Sequence, residues 1–197
     1  MAAVLEIAST WRRFHIMGGA GSGKTTLARE LHARLGYPLY ELDWIAWTKQ
    51  GKVPLNERMA ALDRIIAQPA WITEGAFLWW TDPLLDNADV IVWLDLPFRI
   101  SGWRMIKRHA VLSWRGTNPH PGLLNLIDFI AGIYRHHRMK TPLVPKSVDD
   151  DFSITRAATA EILAQRQEKL VHCVRPRDVA VFLARASADA ERTPAGR

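Results

Sequence analysis

Eight consecutive residues carry the strongest chemical signal in this chain: Gly18-Gly19-Ala20-Gly21-Ser22-Gly23-Lys24-Thr25. They fill the pattern G-x-x-x-x-G-K-[ST] completely. Glycines in such a loop permit positive φ and let backbone N–H groups, here from about Ala20 to Thr25, wrap an anion. A helix beginning at Lys24, with Thr26 beside Thr25 in its first turn, adds the partial positive charge of its N-terminus. The Lys24 ammonium suits the β- and γ-phosphates of a nucleotide, and the Thr25 hydroxyl suits magnesium. The loop therefore predicts ATP and Mg2+ as ligands.

Magnesium beside phosphates needs a nearby acid. Asp43, Glu74 and Asp95 each close an apolar run that reads as a strand, and the C-terminal strand ends of an open α/β sheet form its ligand crevice. Glu74 is the preferred magnesium-side acid, on a strand expected to flank the loop strand. Asp95 has the hydrophobic-run-plus-Asp form, but Pro97 follows at once and a helix-capping role is an equal reading. Asp43 suits an acid that orients or deprotonates an acceptor, or equally a helix N-cap.

These residues need a frame. Arg13–Met17 reads as a strand running into the loop, and Lys24–Leu35 as an amphipathic helix with Leu27, Leu31 and Leu35 on one face and Gly36 at its end. Strands are expected over 38–43, 70–74, 89–96 and 170–174. Helices are expected over 55–66, 83–87, from after Pro97 to Trp114, and over 123–134, 155–168 and 178–186. Five strands alternating with helices predict a parallel sheet in a three-layer α/β domain. The polar tail 187–197 reads as frayed.

Composition sets the outer bounds. The 197 residues are 48% hydrophobic and 23% charged, which excludes a disordered chain. No apolar run of membrane-spanning length occurs, and Met1–Trp11 lacks the basic start of a secretory signal. A single cysteine, Cys173, precludes an internal disulfide and suits a cytoplasmic setting. The net charge of +6 is unevenly spread. From Arg99 to Lys146 there are nine Lys/Arg against one acid, Asp128; the remainder holds seventeen basic and nineteen acidic residues. A segment this basic seeks phosphates of a nucleotide or of a nucleic acid. Eight of the nine tryptophans fall between Trp44 and Trp114, more than a core of this size readily absorbs.

Taken in order, GGAGSGKTTLA, LYELDWIAW, WITEGAF, VIVWLDLPFR with its following WRMIKRH, and VRPRDVAVFL resemble the topology modulation proteins. These are adenylate-kinase-related P-loop proteins grouped with kinases, and the resemblance runs from about Phe14 to Leu183. It implies a P-loop NTPase fold like that of the nucleoside monophosphate kinases: a single domain with sheet order 2-3-1-4-5, a mobile helical lid over about 99–146, and ATP as donor. It implies that Arg104 and Arg108, sharing one helix face, point at the transferring phosphate, and that Arg135 and Arg138 line the far side of the lid. After the last strand, Arg175 or Pro176 would pack on the base, with a plain turn as an equal reading. The sequence departs from adenylate kinase at Glu74-Gly75-Ala76-Phe77-Leu78-Trp79-Trp80, which lacks the arginine that holds a monophosphate. The acceptor side is aromatic instead, with Trp44, Trp47, Phe77, Trp79 and Trp80, which suit either a wall for a stacking ring or plain core.

Three functions follow. The first is ATP-dependent phosphoryl transfer to a small molecule. The second is a nucleotide-switched, DNA-associated regulator, disfavoured because the basic segment contains Pro119, Pro121, Pro142 and Pro145 and no recognisable nucleic-acid module. The third is nucleotide binding without transfer. His136-His137 is read as no zinc site, since adjacent histidines rarely face one ion.

Overall fold

Along Val90–Leu94, Val90, Val92 and Leu94 pack into one hydrophobic cluster while Ile91 and Trp93 pack into another. A strand apolar on both faces must be covered by helices on both, and this fixes the three-layer architecture. Residues 11–118, 122–151 and 154–192 are described by a computed structural model, the last six by backbone course alone. In chain order the elements are β1 (Arg13–Gly18), α1 (Lys24–Leu35), β2 (Leu39–Glu41), α2 (Leu42–Ala46), β3 (Trp47–Thr48), β4 (Gly51–Lys52), α3 (Leu55–Ile66), β5 (Trp71–Gly75), α4 (Asp82–Asn87), β6 (Val90–Leu94), α5 (Phe98–Trp114), α6 (Leu123–Arg138), α7 (Arg156–Ala164), β7 (Leu170–Cys173) and α8 (Pro176–Arg192).

The main sheet runs β2-β5-β1-β6-β7, and every neighbouring pair is parallel. Counting only its five strands, the order is 2-3-1-4-5, as the resemblance implies. Helices α1 and α8 cover one face through Leu27, Leu31 and Phe182. Helices α2, α3, α4 and α7 cover the other, where Leu42, Leu62, Leu84 and Leu163 surround Trp71 and Trp80. His15 is buried in β1, with Nδ1 2.8 Å from Thr73 Oγ1, and burial lowers its pKa to about 4. It is a neutral core histidine.

Several expectations are revised. The strand expected over 38–43 stops at Glu41, and Asp43 lies in the first turn of α2. Leu42 and Ala46 are both fully buried while Trp44 between them is exposed; a strand would set all three on one face, whereas a helix turns Trp44 away from the other two. The β3–β4 hairpin was not expected, since its strands are two residues each. Helix α6 continues past Tyr134 to Arg138. Helix α8 continues through 187–192, where an alanine-rich sequence favours helix over fraying; only 193–197 of that tail lie outside the described residues, as do 1–10 of the N-terminal reading and Pro119–Pro121 of the basic segment. Among the described residues no helix is long and apolar enough to cross a membrane. Cys173 is buried and free, its thiol pushed up to about 12 by burial, so it is chemically quiet.

Helices α5 and α6 form a hairpin beyond the C-terminal strand ends. Helix α6 contributes no buried residue. The segment that carries the basic excess therefore stands on the molecule rather than in its core.

Candidate active site

The phosphate loop links β1 to α1. It turns through Gly21 (φ 72°) and Gly23 (φ 102°), backbone that side chains rarely adopt. A Cβ on Gly21 would meet the Ser101 carbonyl oxygen of α5 at 2.6 Å. Glycine is thus required both for the turn and for the close approach of α5, which lays its first turns directly on the loop.

That approach assembles a cavity of about 480 Å³ whose walls include Lys24, Thr25, Thr26, Asp43, Glu74, Arg104 and Arg108. All seven of these side chains were expected at the site from sequence. Thr25 Oγ1 donates to Glu74 Oε1 at 2.6 Å, and Lys24 Nζ donates to the Gly19 carbonyl at 3.3 Å. Arg104 Nη1 donates to the Ser22 carbonyl at 2.7 Å. Arg108, one turn further along α5, shares its face. Asp43 enters from α2, and its backward shift from strand end to helix start still turns it into the cavity.

The charges are coupled. Burial lowers the Lys24 pKa from its ordinary value; Glu74 and Asp43 work to raise it and Arg108 to lower it further. Burial raises the Glu74 carboxyl, against the Thr25 hydrogen bond and the Lys24 charge, with Asp43 and Glu41 adding to the rise. Two acids and three cations around one cavity describe a site built for a polyanion with a counter-cation. A hydroxyl and a carboxylate in contact are hard oxygen ligands of the type magnesium takes alongside phosphate oxygens and water. Thr25 and Glu74 fit that ion. Among the described residues no cluster of three or more His, Cys, Asp or Glu side chains forms a separate metal site.

Other expected residues lie elsewhere. Asp95 is withdrawn from the phosphate cavity: its buried carboxylate takes a two-pronged bond from Arg156 (2.7 and 2.6 Å) and one from His172 Nε2 (2.9 Å). Burial alone would raise its pKa, but the His172 and Arg156 bonds hold it below the ordinary range. It neither caps α5 nor faces Thr25. Arg135 and Arg138 lie on the exposed side of α6, and Arg138 donates to the Tyr134 hydroxyl at 3.0 Å. Arg175 is exposed in a turn where Asp178 accepts from the Val174 and Arg175 amides. The aromatic group divides. Phe77 and Trp80 are core, whereas Trp44 (78% exposed) and Trp47 (43%) face solvent. Trp44 donates to Glu41 at 3.2 Å.

A second cavity of about 340 Å³ lies across the loop, lined by Gly18, Gly19, Ala20 and Ser22 on one side and by Trp93, Phe98, His136, His137 and Arg156 on others. Gly18, Gly19 and Ser22 thus border this cavity rather than the first. Sequence reading treated 135–138 as a basic run; the available signal was helical period, which sets Ile133, His136 and His137 on one face and turns Arg135 and Arg138 away.

No family model matches the chain, and no curated protein matches it. Solved structures resembling it include a gluconokinase from Sinorhizobium meliloti 1021 (16% identity, TM-score 0.47, 93% of each chain). Shikimate kinases from Bacteroides thetaiotaomicron (14%, 0.47, 91% of this chain and 98% of that one) and Acinetobacter baumannii (19%, 0.41, 80% and 96%) are also similar. Neither the family-model nor the curated-protein comparison returns the topology modulation proteins. The chain's α/β P-loop fold is carried by its own strand order and by the loop between β1 and α1.

Proposed function

We propose that this chain is a magnesium-dependent phosphotransferase that moves the γ-phosphoryl group of ATP to the hydroxyl of a small molecule. The observation that carries this reading is the convergence of Lys24, the Thr25–Glu74 pair, Asp43, Arg104 and Arg108 on one cavity at the mouth of the phosphate loop. Phosphoryl transfer is catalysed mainly by positioning and by neutralising the equatorial oxygens, and this set supplies both.

In this reading the amides from Ala20 to Thr25 cradle the β- and γ-phosphates, and Lys24 bridges them. Magnesium, when bound to Thr25 with Glu74 behind it, supplies charge neutralisation at the phosphates. Arg104 and Arg108 face the charge that develops on the transferring group. The acceptor oxygen forms a bond to the γ-phosphorus while the bond from that phosphorus to the β–γ bridging oxygen breaks, releasing ADP. The acceptor's proton passes to the Asp43 carboxylate and then to water. The basic α5–α6 hairpin serves as the lid, excluding water from the transfer.

The test is ATP turnover with detection of a phosphorylated product, in wild type and Lys24→Ala. Removing one preorganised charge from the transferring group is expected to cost about 10²-fold or more. Undiminished turnover in the variant overturns the reading.

A further inference from the structure

The proposed function assigns no ligand to the cavity across the loop. We infer that it is the acceptor seat, and that it takes an uncharged, hydroxyl-bearing molecule with one apolar face rather than a carboxylate or a monophosphate. The inference rests on the phosphotransferase reading and deepens it.

Position is the first argument. Ala20 and Ala76 form walls of both cavities, so a ligand in the second abuts the phosphate site, and its reacting hydroxyl would reach past Ala76 into the first cavity, where Asp43 stands as its base. The second cavity opens on the sheet face covered by α7, while α1 and α8, with the Arg175 turn ahead of α8, occupy the other face. A nucleotide seated on the loop and an acceptor in this cavity would approach the γ-phosphate from opposite sides, as in-line transfer requires.

Construction is the second argument. The volume falls at the small end of pockets that enclose metabolite-sized ligands, about 300–1,000 Å³. Trp93 lines it, its ring stacked on His172 (centroids 4.2 Å apart, planes 7° apart) and with the Arg156 guanidinium 5.8 Å from its centroid. Phe98 and Ile133 add apolar surface. Ser22 is 3% exposed, and its Oγ is buried with no hydrogen-bond partner. An orphaned hydroxyl in a cavity wall is a group awaiting a polar ligand atom.

Charge gives the class. Among the described lining residues the single formal cation is Arg156, and both of its prongs are taken by Asp95. The other lining acid, Asp151, pairs with Lys52 at 2.6 Å. Burial lowers the His137 pKa, against the pull of Asp95 and with Arg156 adding to the fall. A carboxylate or phosphate held here would have to share Arg156 with Asp95 and set its charge beside that carboxylate, a like-charge contact. A neutral hydroxylated molecule needs only Ser22, the imidazoles and the apolar wall.

The experiment uses the full chain with γ-labelled ATP and magnesium, and a deproteinised bacterial small-molecule extract split by anion exchange. Label transferred to molecules of the unretained, uncharged fraction is the expected result. His136→Trp and Ile133→Trp, on a helix with no buried residue, would fill the cavity and cut that transfer by at least about 10-fold while leaving Mg-ATP affinity within about 2-fold. Label appearing only in the retained, anionic fraction overturns the acceptor class while the phosphotransferase reading stands. Label in neither fraction, with Mg-ATP still bound, overturns both. Variants that lose ATP affinity along with transfer would make the cavity part of the nucleotide site and overturn the seat.

Discussion

Thr25 and Glu74, 49 residues apart in sequence, are joined by a 2.6 Å hydrogen bond from hydroxyl to carboxylate. The register explains the meeting: Ile16 of β1 lies opposite Glu74 of β5, two residues before the loop begins at Gly18. Parallel pairing thus sets an acid beside the first turn of α1, where magnesium would sit. Glu74→Gln keeps the shape and removes the charge, and should lower turnover by about 10- to 100-fold, as loss of a group orienting a metal ligand does. Because burial raises the Glu74 carboxyl, the charge is a burden on folding at neutral pH. The thermal midpoint of the variant should therefore equal or exceed that of wild type. A variant that loses stability and keeps its turnover would place Glu74 in the scaffold.

Asp95 should behave in the opposite way. Its folded-state pKa is depressed, so it contributes stability above the ordinary aspartate value of 3.8, and that contribution disappears as pH falls through the folded value. Asp95→Asn should cost about 1–3 kcal/mol at pH 7, the worth of hydrogen bonds to a charged group. The gap between variant and wild type should narrow below about pH 4. Denaturant unfolding across pH 3–7 reads this directly; a gap independent of pH would remove the ion pair as its cause.

How much of this was readable beforehand depends on the range of the interaction. The loop, α1, α3 and the alternating apolar runs announce themselves locally, because amphipathic period and turn chemistry are properties of neighbours in sequence. Glu74 was preferred because its strand was expected to flank the loop strand, and the sheet pairs the two. Asp95 had the hydrophobic-run-plus-Asp form, and what draws it away from the cavity of Lys24 and Thr25 is Arg156, 61 residues away. His136 and His137 were hidden by the arginines around them: a run of four basic residues reads as one charge until the helix sorts it into two faces. Trp44 and Trp47 read as a ligand wall, yet α2 turns at Leu42 to bury Leu42 and Ala46 and leaves both indoles outside.

Arg58 provides a test of packing against charge. Its side chain is fully buried, donates to the Val53 carbonyl at 2.9 Å, lies 4.9 Å from the Trp80 ring centroid and pairs with Asp149. Arg58→Ala empties a core position and leaves Trp80 without its neighbour, at an expected cost of about 2–4 kcal/mol. Asp149 is partly solvated, so Asp149→Asn should cost about 1 kcal/mol or less. Equal losses from the two substitutions, measured by denaturant unfolding, would mean that the ion pair and not the packing holds this corner of α3.

The basic hairpin decides between a lid and a nucleic-acid arm. Arg104 already touches the loop through the Ser22 carbonyl, and Arg108 lines the cavity at its mouth, so the inner face of α5 is turned to the loop. The outer face carries Trp103 and Trp114, 66% and 86% exposed, which makes them sensitive reporters of closure. ATP with magnesium should slow hydrogen exchange between Arg115 and Lys140 and shift tryptophan emission, since closing orders a segment that now buries little. Arg104→Ala and Arg108→Ala should each reduce kcat by about 10²-fold while changing ATP affinity by only a few-fold, because their charge acts as the transition state forms. Binding to duplex DNA would instead fall steeply with salt and would not need the loop. Protection of Arg115–Lys140 by duplex DNA but not by ATP would make the hairpin a nucleic-acid surface, and the phosphate-facing arginines of α5 would lose the role assigned to them.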